Sequence, residues 1–133
     1  MTPTIVLPII AVFLLVSVEW GGWVLLKFLT EGQPPDRFKQ GFFRAGHAHA
    51  GVLLTLSLVY FLYLDKTDYS HGLEWTVGIV LLLGILAHSG GFFLHVAIGR
   101  ENENSLGTRI TRIGAIVIGA ALVVLAIGLI RVA

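Results

Sequence analysis

Leu73 to Gly99 reads LEWTVGIVLLLGILAHSGGFFLHVAIG, and no residue between Glu74 and Arg100 carries a formal charge. A helix rises about 1.5 Å per residue, so roughly 20 residues cross a hydrocarbon core ~30 Å thick. This stretch exceeds that length. Its apolar residues do not alternate with polar ones, and a membrane β-strand needs only ~10 residues, so the stretch reads as a membrane-spanning α-helix. Trp75 at its start is placed to anchor it at the interface.

Three more runs of the same kind surround it, at about Pro3–Leu29, Phe42–Leu64 and Thr108–Ile130. The expected fold is therefore all-α: residues 1–133 as one domain, an integral membrane bundle of four transmembrane helices. Pro8 falls near the start of the first span, where a missing amide costs least, and Lys27 can snorkel to the interface at its end. The first run is too long for a signal-peptide core and lacks a basic segment before it, so it reads as a retained span. The polar connections are Thr30–Arg44, Asp65–Gly72 and Arg100–Gly107, and Pro34–Pro35 in the first blocks helix continuation.

Composition agrees. Apolar residues make up 56% and charged residues 13%, with a mean hydropathy of +0.86. A net charge of +1 argues against nucleic acid as a partner and leaves membrane lipid. The chain has no cysteine, which excludes disulfides, thiolate metal sites, Fe–S clusters and covalently attached c-type haem. Lys27, Arg37, Lys39, Arg44, Arg100, Arg109 and Arg112 gather at one end of the spans, and Lys66 and Arg131 at the other. Positive charge stays cytoplasmic, so both termini are expected outside, in a bacterial inner membrane. Gly78 and Gly84 in the third span, and Ala115 with Gly119 in the fourth, are expected points of close helix packing.

Ionisable groups inside a membrane cost a few kcal/mol each unless partnered, so they mark function. Here they are Glu19, His47, His49, His88 and His95, with His71 assigned to a loop. Counting from Arg44 and Arg100 as the boundary, His49 and His95 lie roughly 7 Å deep, Glu19 roughly 12 Å from Lys27, and His88 roughly 18 Å. Glu19 is either a buried carboxylate bonded within the bundle or a partner for His88. His88 and His95 are seven residues apart and share a helix face, but roughly 10 Å separates them, too far for one metal ion. His47 and His49 are two apart and point to nearly opposite faces. That spacing does not suit a tetrahedral zinc cage, whose helical ligands sit at three or four residues. It suits a large planar cofactor held by one axial histidine, as haem is. Membrane histidines can also simply bond across helices, and Phe92 and Phe93 can simply pack, although beside Gly90 and Gly91 they could wall a flat cavity.

The segment Arg44-Ala45-Gly46-His47-Ala48-His49-Ala50-Gly51 resembles the start of the second membrane helix of styrene oxide isomerases, small four-helix haem enzymes. Within it, Ala48-His49-Ala50-Gly51 is similar to the family's ligand segment. Ala87-His88-Ser89-Gly90-Gly91-Phe92-Phe93 resembles the family's third helix. The resemblance implies haem b, with His49 as the metal ligand and His47 as the alternative. It also implies a homotrimer with the cofactor between subunits, and a small apolar epoxide as substrate, rearranged to an aldehyde. The family's pocket-facing Asn, Asn and Tyr fall at Thr55, His88 and Phe92, the candidate catalytic residues. His47, His49, His88, His95 and Arg44 are the candidate cofactor-binding residues. Two other functions fit the same histidines: a bis-histidine haem passing electrons, and a non-enzymatic metal carrier using imidazoles and Glu19. The absence of Cys, and of any Met beyond Met1, argues against a Cu(I) carrier.

Overall fold

The computed structural model describes residues 2–32 and 36–133. It comprises α1 (Pro3–Thr30), α2 (Arg37–Leu64), α3 (His71–Ile98) and α4 (Leu106–Val132), with no strand among the described residues. All four helices are long and apolar enough to cross a membrane, so the chain is an all-α, four-helix integral membrane protein. The expected break at Pro34–Pro35 lies outside the described residues.

Side-chain caps set three of the helix starts. Asp36 accepts from the Lys39 amide at 2.8 Å, so α2 begins at Arg37, ahead of the expected start at Phe42. Ser70 caps α3, which places His71 in its first turn rather than in a loop. Ser105 and Thr108 form a reciprocal capping box at the start of α4. In the link before it, Asn102 takes the left-handed backbone conformation (φ 63°), which Asn tolerates better than most residues.

The α3–α4 pair is the closest in the bundle, and small residues make it so. Gly107, Gly114, Ala121 and Gly128 recur every seven residues on α4, and all are buried. Gly107 and Gly114 meet Gly91 and Gly84 of α3, and Gly128 meets Thr67 and Tyr69 in the α2–α3 link. A methyl group on Gly91 would run into Thr111 and the Gly107 carbonyl, and one on Gly114 into the backbones of His88 and Gly84. The expected contacts at Ala115 and Gly119 are not made: both are exposed, and a methyl on Gly119 would meet nothing within 4 Å. They lie one position further round the helix from Gly114 and Ile118, which turns them about 100° towards lipid. Gly78 and Gly84 do mark close contacts; Gly78 receives Leu7 of α1 and Phe61 of α2.

Two phenols bind α2 and its following link to α4. Tyr60 donates to the Ala121 carbonyl (3.1 Å) and Tyr69 to that of Val124 (2.7 Å). α1 is most deeply buried near its start, where Leu7 and Ala11 are fully buried and Thr4 donates to Asp65 at 2.9 Å; further along, Leu15 and Val18 pack on the core and His47 of α2 rests against Gly22. After Ala11 no α1 residue is buried. The rest of α1 exposes Phe13, Val16, Trp20 and Trp23. Glu19 is exposed among them and makes no ion pair with His88.

Candidate functional site

The centre of interest lies where α2 crosses α3. Gly46 allows the approach: a methyl there would sit 3.0 Å from Phe92 Cβ and 3.1 Å from the Phe93 ring. One turn further along α2, the His49 ring stacks on Phe92 (ring centres 5.1 Å apart, 27° between planes) and lies 5.0 Å from the His88 ring. Phe92 also meets His88 edge to face at 5.6 Å. His49, His88 and Phe92 therefore form one cluster.

This corrects the depth reading. His88 was expected about 10 Å deeper than His49, yet their rings touch. Arg44 was the wrong boundary, because two turns of α2 precede it. From the true helix ends, His49 is twelve residues inside Arg37 and His88 ten inside Ile98, roughly 18 and 15 Å.

Hydrogen bonds define both tautomers. His49 Nδ1 lies 2.8 Å from the Ala45 carbonyl, and His88 Nδ1 lies 3.0 Å from the Thr111 carbonyl. A carbonyl only accepts, so each Nδ1 carries the proton and each neutral ring keeps its lone pair on Nε2. A metal-ligating histidine is commonly arranged in this way, with the second nitrogen tied to a carbonyl that fixes the ring. His49 is exposed on the outer face of α2, whereas His88 is half-buried.

The other candidates lie elsewhere. His47 points away from His49, as their spacing requires; its ring packs 3.1 Å from where a methyl on Gly22 would sit, against α1. His95 is 2% exposed, with Nδ1 2.7 Å from Ser105 Oγ and its ring against Phe42 (4.4 Å) and Phe38 (5.3 Å). It ties α3 to the link before α4, beside the first turns of α2 and not level with His49. Thr55 is exposed and its hydroxyl donates back to the Gly51 carbonyl at 2.9 Å, two turns from the cluster. Arg44 is exposed on α2. Phe93 and Gly90 do wall a cavity, but it lies on the α1 side of α2.

An open groove of about 480 Å³ runs over Phe38, Phe42, Ala45 and Phe92, with Arg37 and Glu101 at its rim. No family model, curated protein or solved structure matches the chain. Among the described residues, no three His, Cys, Asp or Glu side chains converge as a metal cage. Sequence reasoning missed Thr111, whose carbonyl holds His88, and the aromatic wall of Phe38 and Phe42. The seven-residue recurrence of Gly107, Gly114 and Gly128 would have pointed to the α4 face on which Thr111 lies, near the seam.

Proposed function

We propose that this chain is a membrane-embedded b-type haem protein with His49 Nε2 as the axial ligand, working as a haem-dependent isomerase on a small apolar epoxide. The observation that carries the reading is the fixed His49 tautomer: Nδ1 is committed to the Ala45 carbonyl, and Nε2 is left free on an exposed face beside a stacked aromatic ring. The residues fit the group. A non-covalent haem needs one imidazole nitrogen and flat apolar walls; Phe92, on which His49 stacks, would supply one wall, and Phe42 and Phe38 continue it along a groove whose far rim is polar. When bound, ferric haem supplies a Lewis acid that polarises an epoxide oxygen. The chain's own part is to hold His49 in one orientation, to exclude water with Phe38, Phe42 and Phe92, and to offer His88 Nε2, beside His49, as a polar group for the substrate.

In this reading His88 is a pocket residue and not a second iron ligand within one protomer. Two imidazoles on opposite sides of one iron hold their bonded nitrogens about 4 Å apart and their ring centres about 6 Å apart. At 5.0 Å, the rings of His49 and His88 leave no room for iron and macrocycle between them. The purified protein should show a high-spin ferric spectrum. His88→Ala should keep the Soret band while epoxide turnover falls at least about tenfold, the usual scale for a lost polar group in a transition state. A low-spin spectrum that turns high-spin in His88→Ala would instead make His88 a ligand from a neighbouring copy and the function electron transfer.

The reading includes a homo-oligomer, a trimer by resemblance. Glu19 and His49 are both exposed on a single protomer at membrane depth, and a second copy would cover what lipid cannot solvate. It also includes outside termini, from the distribution of Lys and Arg. A reporter that is active only outside the inner membrane, fused after Ala133, should be active; activity of a cytoplasm-only reporter there reverses the topology.

A further inference from the structure

We propose that Glu19 of one copy pairs with Arg112 of the next, so that the α1 face carrying Glu19 closes over the exposed His49 of its neighbour. This contact rests on the oligomer of the reading above but not on haem. The packing fixes the level of each group. His47 of α2 rests against Gly22 of α1, and Gly51 of α2 against Val18. The two helices run antiparallel, so this register puts Glu19 level with Ala50, one residue and about 1.5 Å from His49. His49 in turn touches His88 of α3. On α4, Gly107 packs between Gly91 and His95, and Gly114 between Gly84 and His88, which puts Arg112 level with His88. Glu19, His49, His88 and Arg112 therefore lie at one depth, to within about 3 Å.

They do not lie on one side of the protomer. α1 packs on the His47 face of α2, and His49 points from the opposite face. Arg112 is on the His49 side, since it lines a pocket with Phe92, on which His49 stacks. Glu19 and Arg112 are both exposed, and among the described residues neither belongs to an ion pair. Arg112 uses one N–H on Asn104 (2.8 Å), and a guanidinium has five. At this depth the α1 surface carries a carboxyl and no cation, whereas the His49 surface carries Arg112 and two imidazoles and no carboxyl. A charge in hydrocarbon is costly unless paired. Copies inserted the same way round, about an axis along the membrane normal, keep every residue at its own depth. A neighbour thus presents to Arg112 only what lies at that depth, and Glu19 is the carboxyl there. Two different surfaces meeting make a head-to-tail contact, the kind that closes into rings and not into two-fold pairs. Trp23, exposed one turn along α1 and level with Gly46, comes to lie over the groove at Ala45, where its ring adds a wall.

The chain has no cysteine, so engineered ones report this contact alone. Trp23 and Arg109 are exposed, each about one turn nearer the cytoplasmic end than the proposed pair, so changing them leaves the pair intact. Two differently tagged full-length chains, one with Trp23→Cys and one with Arg109→Cys, are co-expressed, purified in mild detergent and treated with a short bis-maleimide. A covalent product carrying both tags is expected. Val12→Cys, exposed on α1 well above this depth, should give none with Arg109→Cys. In a second measurement, native mass spectrometry on dilution, Glu19→Gln and Arg112→Gln should each weaken association at least about tenfold, and the double variant should be no weaker than either single one. Trp23→Cys chains joined to one another would mean a two-fold contact through α1 and would overturn the proposal. So would a mixed product from Val12→Cys, or additive losses in the Gln variants. An oligomer that gives no mixed product would overturn this contact and leave the oligomer standing, whereas a monomeric wild type would overturn both. Neither readout involves iron, so absence of haem would strike the haem reading alone.

Discussion

His49→Ala should strip the protein of haem, lowering the Soret absorbance per chain by an order of magnitude or more. His49 is the only ring in the α2–α3 cluster that is both exposed and tautomerically fixed, with Nδ1 on the Ala45 carbonyl and Nε2 free. Removing even an outer hydrogen-bond partner of a metal-bound histidine commonly costs 10- to 100-fold in affinity, so loss of the ligand itself should cost no less. His47→Ala should retain the band, because that ring faces Gly21 and Gly22 on the other side of α2. Full haem in His49→Ala with loss in His47→Ala would move the ligand to His47. An unchanged band in both would remove this segment from the cofactor site altogether.

The second large effect is expected on stability. Gly114→Leu places a branched side chain where even a methyl would strike the backbones of His88 and Gly84. Backbone cannot rotate aside as a side chain can, so α3 and α4 must separate. Overpacking costs about 1–3 kcal/mol where side chains can shift, and the cost here should reach or exceed about 3 kcal/mol. Titration with a denaturing detergent, followed by circular dichroism, measures it. Gly119→Leu is the matched control. It lies five residues further along the same helix and faces open space, so it should fall within about 0.5 kcal/mol of the wild type. A Gly114→Leu protein as stable as that control would show that the seam is not close-packed.

The four spans were legible from sequence because length and lack of charge are all that crossing a bilayer demands. Rotation of each helix was not. In lipid the outer face is as apolar as the core, so Ala115 and Gly114 look alike until a neighbour is placed beside them. The seven-residue recurrence from Gly107 to Gly128 does carry that information, whereas the four-residue pair Ala115 and Gly119 does not. Depth failed for a different reason. Arg44 is charged, but charge alone does not mark the membrane boundary, since an arginine can extend along a helix already two turns old. The displaced origin separated His49 from His88 and brought His95 level with His49. The pairing of Phe92 with His49 depends on where α2 crosses α3, which Gly46 decides and no hydropathy pattern records. The opposed directions of His47 and His49 were legible, since they follow from helical geometry alone.

The tight seam belongs to the later half of the chain, and this has a consequence for biogenesis. Spans enter a bilayer as they are synthesised, so α1 and α2 are inserted before α3 and α4 exist. During that interval Tyr60 has no Ala121 carbonyl to donate to, whereas His49 already holds the Ala45 carbonyl of its own helix. The nascent half-protein thus carries an unmet phenol hydroxyl in hydrocarbon, a condition that membrane chaperones and proteases are equipped to detect. Release from that surveillance comes when the last hairpin closes along its glycines. A ribosome pause after Leu64 would lengthen the exposed period, and rapid synthesis of the final helix would shorten it.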